Sequence, residues 1–389
     1  MTKDMTGWLL PSVLAVALVM VALLAAPTAP QTSPGKPAGP LGDSELFVRA
    51  AAYEVGEDLF AVVTGDMNGD SLPDIVATGY RSGTVSMLLN KGNGVFAETP
   101  RYPSGQGSFG LALEDMDGDG DLDVLVANQA TGILSILYNR GDGMLESRTD
   151  VSAGGSPHTV AVADFNGDSL PDLALPAYQV GAASVYLNLG NGSFSERAVH
   201  GTHEAPFWAL AVDIDGNNRP AIVMTSYSQG FLDVLWNNGK GEFGILSSYE
   251  IGESLWSLSA ADVDGNGSQD IIVTQYTNGT VSVVPNTGNG TLGAPVEYTT
   301  SGAGPSWATP FDMNGDGAPD IAVVDAQTHA LTVLENKGDG TFRIADAFNI
   351  GSLGASTVAA ADFDGDGRDD LVVACWETND VVVFLNRTA

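Results

Sequence analysis

Residues 158–199 read HTVAVADFNGDSLPDLALPAYQVGAASVYLNLGNGSFSERAV. The apolar run His158 to Ala163 leads into an Asp- and Asn-rich loop, Asp164 to Asp172, and a second apolar run, Leu173 to Tyr178. Ser184 to Leu189, a Gly190-Asn191-Gly192 turn and Ser193 to Val199 complete the unit. Short runs bounded by Gly and Asn turns predict four β-strands. The first two are apolar at nearly every position, as expected when both faces of a small sheet are covered.

The same unit recurs along the chain. Its loops begin at Asp66, Asp115, Asp164, Asp213, Asp262, Asp312 and Asp362, spaced by 49, 49, 49, 49, 50 and 50 residues. A fixed period of that length marks a repeat architecture, and helical periodicity is missing from the repeat region. Seven four-stranded units predict an all-β fold, a seven-bladed β-propeller spanning 44–389. Units close with Asn-x-Gly-x-Gly-x-Phe or a variant, as at Asn90 to Phe96, but the seventh stops at Asn386 without a last strand. Phe47 lies 19 residues before Asp66, the interval that also separates Phe96 from Asp115. Glu45 to Tyr53 is therefore expected to supply the missing strand, closing the ring and removing an open sheet edge.

Within the loops, side-chain oxygens recur at positions 1, 3, 5 and 9. These are Asp66, Asn68, Asp70 and Asp74 in blade one, Asp115, Asp117, Asp119 and Asp123 in blade two, and Asp164, Asn166, Asp168 and Asp172 in blade three. Blade six has Asp312, Asn314, Asp316 and Asp320, and blade seven Asp362, Asp364, Asp366 and Asp370. Alternate carboxylates in a tight loop suit Ca²⁺, which takes about six to eight hard oxygen ligands. Position 4 is glycine throughout, which lets the backbone turn around an ion. An ordinary Asp/Asn/Gly turn needs no such register, and carboxylates held this close repel without a cation. An EF-hand would need Glu at position 12, where Ala77, Val126 and Leu175 stand, and zinc would need His or Cys. Up to seven Ca²⁺ sites are expected, and they are unequal. Blade five, with Asp262, Asp264, Asn266 and Asp270, is expected to be somewhat weaker. Blade four has Asp213, Asp215 and Asn217 but Ala221 at position 9, and is expected to be weak or empty.

Composition agrees with this reading. Of 48 acidic residues 24 lie in the seven loops, so much of the net charge of -33 is accounted for by loop carboxylates. Such a surface excludes nucleic acid and anionic lipid as partners. The single cysteine, Cys375, excludes an internal disulfide and reads as a buried apolar residue. Residues 1–26, with Lys3 before the apolar run Trp8 to Ala26, read as a signal peptide or an N-terminal anchor, the one expected route to a membrane. Residues 27–43 read as a Pro/Gly-rich linker. The chain is thus expected to be secreted or held at the cell surface or in the periplasm, and to be a monomer.

The Asp-x-[Asp/Asn]-Gly-[Asp/Asn] loops and Gly-[Asn/Asp]-Gly-x-Phe turns, covering Glu45 to Asn386, resemble those of the FG-GAP or VCBS repeat proteins, which are related to the integrin α-chain head. The resemblance implies structural calcium between the first and second strands of each blade. It implies no single activity, since such propellers occur in adhesins, carbohydrate-binding proteins and some polysaccharide lyases.

The face opposite the loops is expected to carry the turns between second and third strands. Tyr178, Tyr227, Tyr276 and Trp376 fall there, and Trp208, Trp256 and Trp307 near the starts of first strands. Aromatic rings among amides and hydroxyls suit a carbohydrate or protein ligand, and packing between blades explains them equally well. Binding or adhesion is the expected function, and a calcium-dependent polysaccharide lyase the alternative. No catalytic constellation is recognisable, and His200 and His203 read as solvated link residues.

Overall fold

The computed structural model describes residues 42–190 and 192–388. The signal or anchor reading of 1–26, and the linker up to residue 41, lie outside the described residues. The described chain is all-β, and its sheets are seven blades, each an antiparallel set of four strands, with the outermost strand of blade one split into Phe96–Glu98 and Tyr102–Pro103. The second strand of every blade, such as Asp270–Gln275 or Asp370–Cys375, is buried along its whole length. Its aliphatic residues face a neighbouring blade on either side, so the core is a series of layers between blades rather than one central mass. Leu371, Val373 and Phe384 of blade seven, for example, pack with Phe311, Val324 and Leu331 of blade six. Burying both sheet faces in this way is what permits the near-continuous apolar runs.

The ring closes as expected. Phe47–Glu54 pairs antiparallel with Asp380–Asn386, in register from Phe47 opposite Asn386 to Glu54 opposite Asp380, with one bulge between Arg49 and Ala51. Two further backbone bonds, Arg387 N–H to Leu46 O (2.7 Å) and Val55 N–H to Asn379 O (3.1 Å), extend the join.

The inner strands carry a feature that the apolar pattern does not announce. In six blades the register slips near the start of the first strand, at Leu59/Ala61, Ser108/Gly110, Pro206/Ala209, Leu255/Leu258, Pro305/Trp307 and Ala355/Thr357. Blade three's inner strand is reduced to Ala161–Ala163. A bulge re-aims the extra side chain. Here it turns Phe60, Phe109, Phe207 and Trp256 inward: Phe109 of blade two lies 5.8 Å from Phe207 of blade four, across a blade.

Deleting residues 42–54 should leave the Asp380–Asn386 strand as a bare edge. With about seven cross-strand positions lost at roughly 1 kcal/mol per hydrogen bond, the ring should lose on the order of 5 kcal/mol and self-associate. Urea unfolding and size-exclusion chromatography of the truncated chain check both outcomes.

Candidate metal centres and the opposite face

Each acidic loop joins the first strand of a blade to the second, and its four oxygen-bearing positions lie in different surroundings. Position 1 organises the turn. Asp66 accepts the backbone N–H groups of Gly69 (2.8 Å) and Ser71 (2.7 Å), and Asp362 those of Gly365 (2.7 Å) and Gly367 (2.8 Å). Positions 3 and 5 stay near the surface. Position 9 is the first residue of the second strand and is wholly buried in six blades, as Asp74, Asp123, Asp172, Asp270, Asp320 and Asp370.

The buried carboxylate has a fixed set of partners. In blade one, Asp74 Oδ2 accepts Met67 N–H (2.9 Å) and Oδ1 accepts Asn90 N–H (2.7 Å). Blades two, three, five, six and seven repeat both bonds, with Asn139, Asn188, Asn286, Asn336 and Asn386 always 16 residues after the aspartate. The asparagine then reaches outside its own blade. Asn139 Nδ2 donates to Leu122 O of its own loop and to Met67 O of blade one, at 3.0 and 2.8 Å. The inter-blade bond recurs at Asn188, Asn237, Asn286, Asn336 and Asn386. Asn90 makes it to Phe363 O of blade seven, at 3.1 Å, and so completes the circle. In the sequence this asparagine reads only as the start of a turn. Blade four keeps its link, Asn237 Nδ2 to Phe165 O at 2.9 Å, although Ala221 offers no carboxylate.

Burial pushes the position-9 carboxyls up, to about 6 for Asp74, Asp172, Asp320 and Asp370 and about 7 for Asp123, with the neighbouring loop carboxylates adding to the rise and the backbone donors opposing it. In blades two, five and seven, carboxylate oxygens from positions 1, 3 and 9 lie within 4.8 Å of one another: Asp115, Asp117 and Asp123; Asp262, Asp264 and Asp270; Asp362, Asp364 and Asp370. These three clusters could hold a metal ion, and an all-oxygen donor set fits a hard divalent cation. Blade five, expected to be weaker for its Asn266, is among the three because its position 3 is aspartate. Blades one, three and six carry Asn68, Asn166 and Asn314 there, so an amide oxygen replaces the carboxylate. In blade seven, Arg387 Nη1 lies 3.0 Å from Asp364 Oδ2, and Arg368 Nη2 lies 2.5 Å from Asp366 Oδ2, so two guanidinium groups share the loop's charge.

On the opposite face the aromatic residues separate into two tiers. The inward tier is buried: Phe60 and Phe109 (centroids 3.6 Å), Phe109 and His158 (5.0 Å), His158 and Phe207 (4.3 Å), Phe207 and Trp256 (4.9 Å). Trp208 and Trp256 belong to the interior, at 7% and 4% exposed, and Trp208 meets Trp307 of blade six at 4.6 Å. His158 is fully buried, without a hydrogen-bond partner for either ring nitrogen among the described residues, and burial holds its pKa down at about 3. The outer tier is half-buried and stands at the ends of second strands: Tyr80, Tyr178, Tyr227, Tyr276 and Trp376. Tyr276 stacks on Trp256 at 5.1 Å, and Tyr227 leans on Phe207 at 5.5 Å, so the buried tier braces the outer one. Tyr80 Oη donates to Gln129 Oε1 of the next blade at 2.8 Å.

Two link residues depart from their expected solvated state. His203 Nδ1 lies 2.8 Å from Oδ1 of Asp233, which is 1% exposed, its backbone N–H donates to Oδ2 (2.7 Å), and its ring stacks on Phe231 at 4.2 Å. His200 is half-buried against Phe243, and burial lowers its pKa. Cys375 is fully buried, and burial pushes its thiol far up, as an inert core residue requires.

Together these features define a seven-bladed β-propeller with an acidic turn closing the inner edge of every blade. The chain belongs to the FG-GAP-like repeat family, whose profile matches residues 66–126, 115–175, 213–273, 262–323 and 312–373. No curated protein matches the sequence. Among solved structures, the chain is similar to BBS1N in its complex with ARL6DN (12% identity, TM-score 0.64, 88% of this chain and 98% of that one). It is also similar to virginiamycin B lyase from Staphylococcus aureus (10%, 0.60, 87% and 99%). A third is an Agrocybe aegerita lectin that recognises non-reducing terminal N-acetylglucosamine (19%, 0.52, 75% and 80%). At these identities the likeness is one of fold.

The raised position-9 pKa values fix the sign of a pH effect. A carboxyl whose folded-state pKa lies above its unfolded value of 3.8 stabilises the fold fully below that value and loses the contribution as pH rises through about 6 to 7. Chelator-treated protein should therefore melt at a lower temperature at pH 7.5 than at pH 5. Added divalent cation should raise Tm strongly at pH 7.5 and little at pH 5. At pH 5, replacing Ala221 by Asp should supply the missing acceptor in blade four and add about 1–2 kcal/mol, whereas Asp172→Ala should cost about 2–4 kcal/mol. Calorimetry at the two pH values, with and without Ca²⁺, checks these outcomes.

Proposed function

We propose that the chain is an extracytoplasmic calcium-binding propeller, secreted or surface-held, that serves as a binding scaffold for a carbohydrate or protein ligand. The observation that carries this reading is the half-buried tier Tyr178, Tyr227 and Tyr276, braced from beneath by Phe207 and Trp256 and flanked by the exposed amides Gln179, Gln229 and Gln327. Rings held at fixed angles beside hydrogen-bonding amides offer stacking with little entropy left to lose. The loops bear a different role in this reading. Positions 1, 3, 5 and 9 would hold Ca²⁺, which supplies positive charge to buried carboxylates and so stiffens the joint between blades. Partner binding by BBS1N and sugar recognition by the lectin are consistent with use of the same fold as a binding surface.

One observation favours a second reading, a carbohydrate-active enzyme such as a calcium-dependent lyase. Buried Asp233 fixes His203 through Nδ1, and an imidazole so held can accept a proton at Nε2.

A glycan array and partner capture with the calcium-loaded chain test the first reading. Tyr227→Ala with Tyr276→Ala should weaken any binding at least about tenfold, a loss of roughly 1.4 kcal/mol or more, while Tm stays near that of the parent. Asp117→Asn should lower Tm and spare the ligand preference. Binding lost through the loop variant but kept by the tyrosine variant would overturn the assignment of faces. Turnover of a polysaccharide by the parent, abolished in His203→Gln, would favour the enzyme.

A further inference from the structure

Between blades four and five, on the face opposite the acidic loops, the chain forms a cleft of about 450 Å³ lined by Tyr227, Ser228, Gln229, Glu250, Glu253 and Ser254, with Gly252. We infer that this cleft is the subsite for a positively charged amino sugar, an inference that rests on the reading of this face as the binding surface.

The volume is that of a small-ligand pocket, and its chemistry is selective. One wall is the Tyr227 ring, set by Phe207 at 5.5 Å and by Trp256 at 5.8 Å and 76°. A fixed ring of this kind offers a stacking surface to the apolar face of a pyranose. The Oε1 of Gln229 is taken by Glu204 N–H at 3.0 Å, which leaves its NH₂ group to donate to a ligand oxygen. Ser228 and Ser254 add hydroxyls that both donate and accept. Such a lining matches a ring rich in hydroxyl groups better than an apolar side chain.

Charge then selects among sugars. Glu250 and Glu253 are the ionisable side chains of the lining besides Tyr227, both exposed, and no Lys or Arg stands among them. On a chain of net charge -33, with only 15 basic residues, a uronate or sulfated sugar would meet repulsion both in the cleft and on approach. A protonated amine on the sugar ring meets the reverse. It can pair with a carboxylate while the ring face lies on Tyr227, which also favours a cation. The cleft is built from blade-four residues and the link leading into blade five, at the point where Tyr227, Trp256 and Tyr276 follow one another in space.

The test is titration calorimetry of the calcium-saturated full chain at pH 6 with four probes: a glucosamine tetramer, its N-acetylated form, a galacturonate tetramer and tetralysine. The glucosamine tetramer is expected to bind about tenfold tighter than the N-acetylated one, and the galacturonate tetramer not to bind. Glu250→Gln with Glu253→Gln should remove that advantage, and Tyr227→Ala should weaken both. Equal binding of the two tetramers, unmoved by the glutamine substitutions, would overturn the amino-sugar subsite while leaving sugar binding on this face intact. Tetralysine binding as tight as the glucosamine tetramer would overturn it in favour of a basic protein segment. Silence with all four probes would overturn it as well. A glycan array on the same sample then shows separately whether the face binds any carbohydrate.

Discussion

The ring rests on one buried carboxylate and the asparagine that follows it by 16 residues. The aspartate opening the second strand of six blades has both oxygens committed to backbone N–H groups, one in its own loop and one at the end of its third strand. The asparagine's side chain spans two carbonyls, one from its own loop and one from the preceding blade. A loop, a strand end and a neighbouring blade are thereby tied at one point, and the same point is built in six of the seven blades, blade four keeping only the asparagine's bond to its neighbour. Truncating either residue would leave buried donors or acceptors unpaired, which is costlier than never having buried them. This accounts for two sequence features that otherwise look unrelated, the last aspartate of the loop and the first asparagine of the turn.

The same arrangement creates a charge problem. A carboxylate removed from water with other carboxylates nearby favours its protonated form, and the six position-9 aspartates are placed in that way. Backbone donors offset part of the cost, since they stabilise the charged form, and in blade seven two arginines neutralise the outer carboxylates. A divalent cation would offset more, because it acts on positions 1, 3 and 9 together. The acidic loops are thus part of the joint between blades, and blade four, with Ala221, shows that the asparagine link can form without the carboxylate.

The loops, the four-strand unit and the closing strand were legible in the sequence because each is local and repeats every 49 or 50 residues. The features not legible there depend on partners far away in the chain. The asparagine's inter-blade bond spans 72 or 73 residues, or 273 at the closure, and a single unit gives no sign of it. The inner-strand bulges are set by register against the second strand, so alternation alone could not tell that Trp208 and Trp256 turn into the interior while Tyr227 and Tyr276 stay at the surface. His203 looked like a link residue because Asp233, 30 residues on, lies in the third strand of the next blade, where its carboxylate is surrounded by apolar neighbours in sequence. The one usable signal was an aspartate in a run, Phe231 to Trp236, that is otherwise apolar: a buried charge needs a partner.

Seven near-identical units cannot by themselves make a unique recognition site, so uniqueness must come from positions where the units diverge. The loops diverge little. The residue after the second strand diverges much: Tyr80, Gln129, Tyr178, Tyr227, Tyr276, Ala326 and Trp376. The inward residue beneath it runs Phe60, Phe109, His158, Phe207 and Trp256 and then gives way to Ser306 and Ser356. Blades three, four and five therefore present braced rings in succession, whereas blade six presents a small residue and blades six and seven lack the aromatic brace. A ligand that gains from stacking meets a lopsided face, deepest in aromatic support where blade four passes to blade five. The symmetry that builds the ring is kept on the acidic-loop side and broken on the other, where the aromatic support is concentrated in blades three to five.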